Sequence, residues 1–174
     1  VVVHGDRDGC FWYSVAENPQ KNKNWRKTTI TMDVLDQNYD IHGGYFPNGI
    51  GDLDNDGDMD VVMPGRWYEN QDDAQKWTAH ILPWGKIGPW GLSTRSWIVD
   101  MDLDGDNDIV IADCDQSDSR AGWLENNGKE IPQFIVHNLP RTAAGLRGSF
   151  HSLAVADFDL DGDVDIFTIE QEDD

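Results

Sequence analysis

Short runs in which apolar and polar residues alternate recur along the whole chain. The run at 77–81 (WTAHI) is one of them, and related runs occupy 25–30 and 134–139. Alternation with a period of two is the pattern of a strand that is buried on one face. Because no segment shows a convincing helical periodicity, the pattern predicts an all-β fold.

Three acidic segments align without gaps and reveal an internal repeat. They begin at Asp52, Asp100 and Asp157, and each continues into a run of apolar residues. A Trp-x-Glu-Asn element follows at 67–70 and at 123–126. The spacing of the acidic segments is close to the roughly 40–50 residues of a propeller blade. One repeat therefore predicts four antiparallel strands, A to D, with the acidic loop between A and B.

This register divides the chain into a partial blade at 1–32, blades at 47–82 and 97–139, and a partial blade at 151–174. Propellers close with about four to eight blades, and an open arc leaves strand edges unpaired. The chain is therefore expected to be a segment of a seven- or eight-bladed β-propeller. The remaining blades would come from the same polypeptide, as the strand-like first residues suggest, or alternatively from identical chains.

Each acidic loop follows the pattern Asp-x-Asp-x-Asp-Gly-x-x-Asp. Calcium takes about six to eight oxygens from carboxylates and backbone carbonyls. Positions 1, 3, 5 and 9 offer carboxylates and position 7 a carbonyl, while glycine at position 6 permits a sharp turn. The predicted ligands are Asp52, Asp54, Asp56, Asp58 and Asp60 in the first loop, Asp100, Asp102, Asp104, Asp106 and Asp108 in the second, and Asp157, Asp159, Asp161, Asp163 and Asp165 in the third.

Three other interpretations of these loops fit the sequence less well. An acidic turn without a metal would hold several repelling carboxylates close together. An EF-hand needs a glutamate at position 12 between helices, whereas Met63, Ile111 and Thr168 stand there and strands follow. Magnesium prefers fewer protein oxygens and retains its waters. The sequence therefore predicts three Ca²⁺ sites.

The acidic loops and the apolar strands after them resemble FG-GAP or VCBS repeats, the calcium-bearing blades of integrin heads, fungal lectins and several polysaccharide lyases. The resemblance extends from Val1 to Ile169, and the Trp-x-Glu-Asn element supports it. It implies a propeller with calcium in the A–B hairpins of one face. It does not specify an activity, because one fold hosts many functions.

The charge of the chain narrows the choice of partners and of compartment. With 33 acidic and 13 basic residues the formal net charge is −20, which argues against nucleic acid and anionic membranes as partners. No apolar run is long enough to span a bilayer. Weak calcium sites of the extracellular kind need about 0.1–1 mM calcium, so a secreted, periplasmic or cell-surface protein is expected.

The B–C and D–A loops emerge on the face opposite the acidic loops and mix aromatic residues, histidine and arginine. Aromatic rings stack on sugars and arginine pairs with carboxylates, so carbohydrate is the expected ligand, with Trp84, Trp90 and Trp97 as binding candidates. One alternative is a sugar or polysaccharide lyase or dehydratase, with His151, His42, Tyr45, Arg95 and Arg147 as catalytic candidates. Another is a protein–protein adhesion module.

Several aromatic and histidine residues recur at fixed positions of the repeat and are therefore expected to be structural. They are Trp25, Trp67, Trp77, Trp123, His80 and His137. Cys10 and Cys114 are interpreted as equivalent B–C loop residues two blades apart. That separation exceeds the roughly 7 Å Cα limit for a disulfide, so they are expected not to be paired.

Overall fold

The computed structural model describes residues 2–6, 9–21, 24–32, 49–71, 73–85, 93–115, 119–140 and 148–171, with only the backbone at 2–6. These residues contain thirteen β-strands and no helix. Accordingly, the described part of the chain has no helix that is long and apolar enough to cross a membrane. The all-β prediction is confirmed for this part of the chain.

The strands form four antiparallel sheets in which each strand pairs with its neighbour in sequence. The first sheet contains β1 (Val2–Asp6), β2 (Gly9–Ser14) and β3 (Arg26–Thr31). The second contains β4 (Gly49–Gly51), β5 (Asp60–Met63), β6 (Arg66–Gln71) and β7 (Lys76–Ile81). The third contains β8 (Thr94–Val99), β9 (Asp108–Asp113), β10 (Ala121–Glu125) and β11 (Ile135–Asn138). The fourth contains β12 (Ser149–Ala156) and β13 (Asp165–Gln171).

The second strands of the two complete sheets are the most deeply buried. Every residue of β5 and of β9 is buried, which explains why both read as continuous apolar runs rather than alternating ones. Their fourth strands, β7 and β11, contain no fully buried residue. A strand that is covered on both faces needs apolar side chains on both, so the sequence difference follows from position in the sheet.

Consecutive sheets pack face to face through three apolar clusters. Val61, Met63 and Tyr68 of the second sheet pack with Cys10 and Ile30 of the first. The second and third sheets share the largest cluster, which contains Leu53, Val62, Trp67, Leu82, Trp84, Ile109, Ile111 and Leu124. The third and fourth sheets meet at Ala112, Ala121 and Phe150. Strands β4, β8 and β12 contact one another in succession, an arrangement consistent with consecutive propeller blades.

Both cysteines are buried and neither forms a disulfide, which confirms that they are not paired with each other. Their interpretation as equivalent loop residues is wrong. Cys10 lies inside β2 and pairs in register with Gly5 and Thr31, whereas Cys114 follows the end of β9. Strand β2 already begins at Gly9, so the connection between β1 and β2 is shorter than the connection between β9 and β10.

Candidate calcium loops and ligand pocket

The three acidic loops share one backbone conformation, which joins the first strand of a sheet to the next. The glycines at position 6, Gly57, Gly105 and Gly162, have φ of +96°, +100° and +102°, the left-handed region that glycine enters freely. Position 4 is also left-handed, and Leu103 and Leu160 stand there with φ of +61° and +64°. A side chain in this region costs about 1–2 kcal/mol, so other contacts must hold these loops.

The first, third and ninth residues of each loop converge. One carboxylate oxygen of each lies within 4.8 Å of the others, in the clusters Asp52, Asp54 and Asp60, Asp100, Asp102 and Asp108, and Asp157, Asp159 and Asp165. The fifth residue stays outside the cluster. Asp56, for example, accepts a hydrogen bond of 2.8 Å from the backbone N–H of Asp58, and Asp104 and Asp161 do the same for Asp106 and Asp163.

The ninth carboxylate is fully buried beneath the first and second loops, whereas Asp165 of the third loop is half-buried. Asp60 accepts the backbone N–H of Leu53 on one oxygen and that of Asn70 on the other, both at 2.8 Å. Burial nevertheless raises the pKa of Asp60 to about 7, and burial raises that of Asp108 to about 6. Burial and the charge of Asp56 raise the pKa of Asp54 to about 6. These shifts indicate carboxylates held where negative charge is unfavourable without a cation.

One atom of the first loop tests directly whether a cation fits. Asp52 Oδ2 accepts the N–H of Gly57 at 3.0 Å, but Asp52 Oδ1 is buried with no hydrogen-bond partner among the described residues. An unpaired buried acceptor costs about 1–3 kcal/mol, and more when charged. Because the donors of the cluster are all oxygen, calcium is the cation they suit.

An asparagine from the third strand of each complete sheet supports the loop, a role that sequence reasoning missed. Asn70 donates its backbone N–H to Asp60 and its side-chain amide to Met59 O at 3.2 Å. Asn126 donates its backbone N–H to Asp108 at 2.7 Å and its amide to Asn107 O at 2.9 Å. The signal was the recurrence of asparagine at the end of the Trp-x-Glu-Asn element.

The other members of that element form a stacked unit. The rings of Trp67 and His80 stack at 4.4 Å, and His80 Nε2 lies 2.7 Å from Glu69 Oε2. Trp123 and His137 repeat the stack at 4.5 Å, and His137 lies 2.5 Å from Glu125. These recurring residues therefore fasten the third strand of the sheet to the fourth.

Two side-chain hydrogen bonds connect the acidic loops of the second and third sheets directly, and a third joins the first loop to Asn126, which follows β10 of the third sheet. Asn126 Nδ2 donates to Leu53 O at 2.8 Å, and Asn107 Nδ2 donates to Asp52 O at 2.7 Å. In the opposite direction, Asn55 Nδ2 donates to Asp106 Oδ1 at 2.8 Å. The two loops therefore contact each other as well as their own sheets.

The ligand candidates of the opposite face have mixed outcomes. Trp84 is only 3% exposed, donates to Asp113 Oδ1 at 2.9 Å and lies beneath the guanidinium of Arg120. It is a packed residue of the boundary between two sheets, so its assignment as a stacking surface for ligand is corrected. Trp97 is 45% exposed, but its indole N–H donates to Leu153 O of the next sheet. Trp90 lies outside the described residues.

The catalytic candidates are only partly within the described residues. His42, Tyr45 and Arg147 lie outside them. Arg95 is half-buried in β8 and donates to Thr94 O at 3.4 Å. His151 is the third residue of β12, with Ser149 Oγ 2.7 Å from its Nε2 and Cys114 Sγ 3.6 Å from its Nδ1.

A cavity of about 320 Å³ lies between the first and second sheets. It is lined by Trp12, Ile50, Met59, Val61, Asn70, Ala74 and Trp77. Three of its lining residues each have one side-chain atom that is buried without a hydrogen-bond partner in the described part of the chain, namely Trp12 Nε1, Trp77 Nε1 and Asn70 Oδ1. Sequence reasoning treated Trp77 as structural because it recurs at a fixed position of the repeat. That it lines a cavity together with Trp12 becomes apparent only when two sheets pack.

Comparison with known proteins gives one match. No curated protein and no solved structure matches the chain. A family model described as an FG-GAP-like repeat matches residues 100–168. This span begins at the first aspartate of the second acidic loop and includes the whole third loop and most of β13. Residues 100–168 of this chain therefore belong to the FG-GAP-like repeat family.

Proposed function

We propose that this protein is a calcium-stabilised β-propeller segment that binds a neutral carbohydrate in the cavity between its first two sheets. The observation that carries the proposal is that three residues lining one apolar cavity, Trp12, Trp77 and Asn70, each have a buried polar atom without a partner among the described residues. Buried polar groups in folded proteins are nearly always hydrogen-bonded. A ligand that supplies the missing partners accounts for all three.

The chemistry of the lining selects the class of ligand. An indole N–H can only donate, and an amide oxygen can only accept. The ligand must therefore present at least two acceptors and one donor, and it must have apolar surface for the two indoles. Sugar hydroxyls donate and accept, and the C–H faces of a sugar ring pack on aromatic rings. A net charge of −20 disfavours an anionic ligand.

The size of the cavity limits the ligand further. Ligand pockets range from about 300 to 1,000 Å³, so a cavity of about 320 Å³ suits a monosaccharide or the end of a glycan. Exposed side chains of Ile50 and Met59 form part of its lining. These two residues lie in β4 and the first acidic loop, so the cavity opens beside that loop.

We propose Ca²⁺ as the cofactor of all three loops. The convergent carboxylates, the unpaired Asp52 oxygen and the all-oxygen donor set support this assignment. Three bound ions would bring the formal charge from −20 to about −14. Such sites fill at the calcium concentrations found outside cells, which supports a secreted, periplasmic or cell-surface protein.

The outer face of the last sheet supports the proposal that further blades complete the propeller. Phe167 and Ile169 of β13 are 51% and 53% exposed. Val62 and Val110 stand where Phe167 does in the repeat, and both are fully buried. A further blade of the same polypeptide, or of an identical chain, would cover this face. The native mass of the full protein distinguishes the two sources.

The test of carbohydrate binding is titration calorimetry of the calcium-loaded protein with a panel of neutral mono- and disaccharides. Trp77→Phe and Trp12→Phe each remove one indole N–H while retaining an aromatic ring. Each is expected to weaken binding by about tenfold, since an unmade hydrogen bond costs about 1–3 kcal/mol. Trp25→Phe is the matched control, because this half-buried tryptophan does not line the cavity.

Two results would contradict the proposal. One is the absence of binding to every sugar in the panel and to a glycan array. The other is binding that both cavity variants leave unchanged.

Turnover of a uronate polysaccharide, seen as absorbance of an unsaturated product, would favour the lyase alternative. The described residues do not favour it, since both ring nitrogens of His151 face other side chains. Capture of protein partners without glycan binding would favour adhesion.

A further inference from the structure

Cys114, Asp115 and His151 meet at the boundary between the third and fourth sheets, at the strand ends opposite the acidic loops. One donor atom from each residue lies within 4.8 Å of those of the other two. Cys114 Sγ is 3.6 Å from His151 Nδ1, the nitrogen that would bind the ion, and Asp115 Oδ1 is 3.6 Å from Nε2, the nitrogen that would not. The three side chains are separate from the calcium loops and from the apolar cavity.

We propose that Cys114, Asp115 and His151 form a binding site for a divalent transition metal, with Zn²⁺ the ion that fits best. In tetrahedral zinc sites the Zn–S bond is about 2.3 Å and the Zn–N bond about 2.0–2.1 Å. A sulfur and a nitrogen on one such ion are then about 3.6 Å apart. Cys114 Sγ and His151 Nδ1 already have this separation.

The neighbours of His151 prepare Nδ1 for a metal. Ser149 Oγ lies 2.7 Å from His151 Nε2, so it can accept the Nε2–H. In that tautomer Nδ1 keeps its lone pair directed towards Cys114. Metal-binding histidines commonly have their second nitrogen held in this way.

The backbone around the two adjacent ligands is fixed as well. The N–H of Cys114 donates to Ser93 O at 2.9 Å, which ties the residue to the start of the neighbouring strand β8. Asp115 has φ of +55°, a conformation that a non-glycine residue adopts at a cost of about 1 kcal/mol or more. Such strain is concentrated at functional sites. Here it accompanies a carboxylate that stands within reach of the thiol and the imidazole.

The donor set separates this site from the calcium loops. Thiolate and imidazole favour zinc and its neighbours in the periodic table, whereas calcium takes oxygen. One thiolate and one carboxylate also balance the charge of a divalent ion, which matters because Cys114 is fully buried.

A metal here would join two sheets, because Cys114 and Asp115 follow β9 and His151 lies in β12. The experiment titrates the calcium-saturated protein with Co²⁺ and then with Zn²⁺. We expect a thiolate-to-cobalt charge-transfer band in the near ultraviolet, which stoichiometric Zn²⁺ removes. Cys114→Ser is expected to abolish the band. Cys10→Ser, which alters the other buried cysteine, is expected to retain it.

The absence of the band in the wild-type protein, or its persistence in Cys114→Ser, would overturn the proposal. In either case the three residues would form only a hydrogen-bonded cluster. If Cys114→Ser does not fold, His151→Gln provides the decisive test, since the His151 side chain is 37% exposed. We expect this variant to bind Zn²⁺ at least about tenfold more weakly. An unchanged zinc affinity would also overturn the proposal.

Discussion

In the calcium-free protein, the two carboxylates that are buried beneath the first and second loops are expected to lower the stability of the fold. Asp60 and Asp108 have no exposed surface. Burial raises the pKa of Asp60 from its ordinary 3.8 to about 7 and that of Asp108 to about 6. In the unfolded chain both groups titrate near the ordinary value, so the calcium-free fold binds their protons more tightly than the unfolded chain does.

The sign of the pH dependence follows from this difference. Where the folded state binds more protons, stability falls as pH rises. The loss of stability begins near the pKa that the carboxyl has in the unfolded chain, and it levels off above the pKa that it has in the folded protein. One pH unit corresponds to about 1.4 kcal/mol, so Asp60 costs about 4 kcal/mol above pH 7 in the calcium-free protein. Between about pH 5 and pH 7.5 it removes about 2–3 kcal/mol, a large share of a typical stability of about 5–15 kcal/mol.

The assay is urea unfolding with EDTA at both pH values, repeated with about 1 mM calcium, which extracellular-type sites require. Without calcium the protein should be more stable at the lower pH. With calcium the order should reverse, because calcium binds the ionised carboxylates. Asp60→Asn should remove the largest single share of the pH dependence seen in EDTA, about half, because Asp54 and Asp108 have pKa values of about 6. Asp73→Asn, at an exposed aspartate outside the loops, should leave it intact.

Equal stability at the two pH values in EDTA would refute the reasoning, as would greater stability at the higher pH. Either result would mean that Asp60 and Asp108 are not held in an unfavourable ionised state in the calcium-free fold. A calcium-independent midpoint at the higher pH would separately refute the structural role of the ion.

Three substitutions test other parts of the fold by the shift in the urea midpoint. Gly122→Ala should destabilise by several kcal/mol, because the added Cβ would lie 2.0 Å from His137 O in the paired strand β11. Gly105→Ala meets no atom within 4 Å but has φ of +100°, so a smaller loss of about 1–2 kcal/mol is expected. Asn126→Ala should cost about 1–3 kcal/mol, because it leaves Leu53 O without its donor. An unchanged midpoint in any of these variants would contradict the contact concerned.

The acidic loops could be read from the sequence because metal ligation needs fixed residue types at fixed spacing. Gly57, Gly105 and Gly162 have the positive φ expected of a sharp turn, and the first, third and ninth acids converge. The strands that follow were also recognisable, because β5 and β9 are buried on both faces. These features depend only on neighbours along the chain.

The ligand cavity could not be read in the same way. Trp12 and Trp77 belong to different sheets, and what distinguishes them is an indole N–H without a partner. That property depends on the packing of two sheets and has no sequence pattern. For Trp84 the error was the opposite one, because the sequence predicted a ligand-binding residue and the structure shows a buried one. It looks like a loop aromatic in the sequence, but the next sheet supplies Asp113 and Arg120 to bury it.

The hydrogen bonds between the first two acidic loops have a consequence for how the protein responds to its ion. Because Asn126 and Asn107 hold carbonyls of the neighbouring loop, an ion that orders one loop lowers the entropy cost of ordering the other. Two sites linked in this way bind with positive cooperativity. In the described residues no such bond reaches the third loop, which would fill independently. If calcium binds as proposed, the first two loops fill over a narrower range of calcium concentration than two independent sites would.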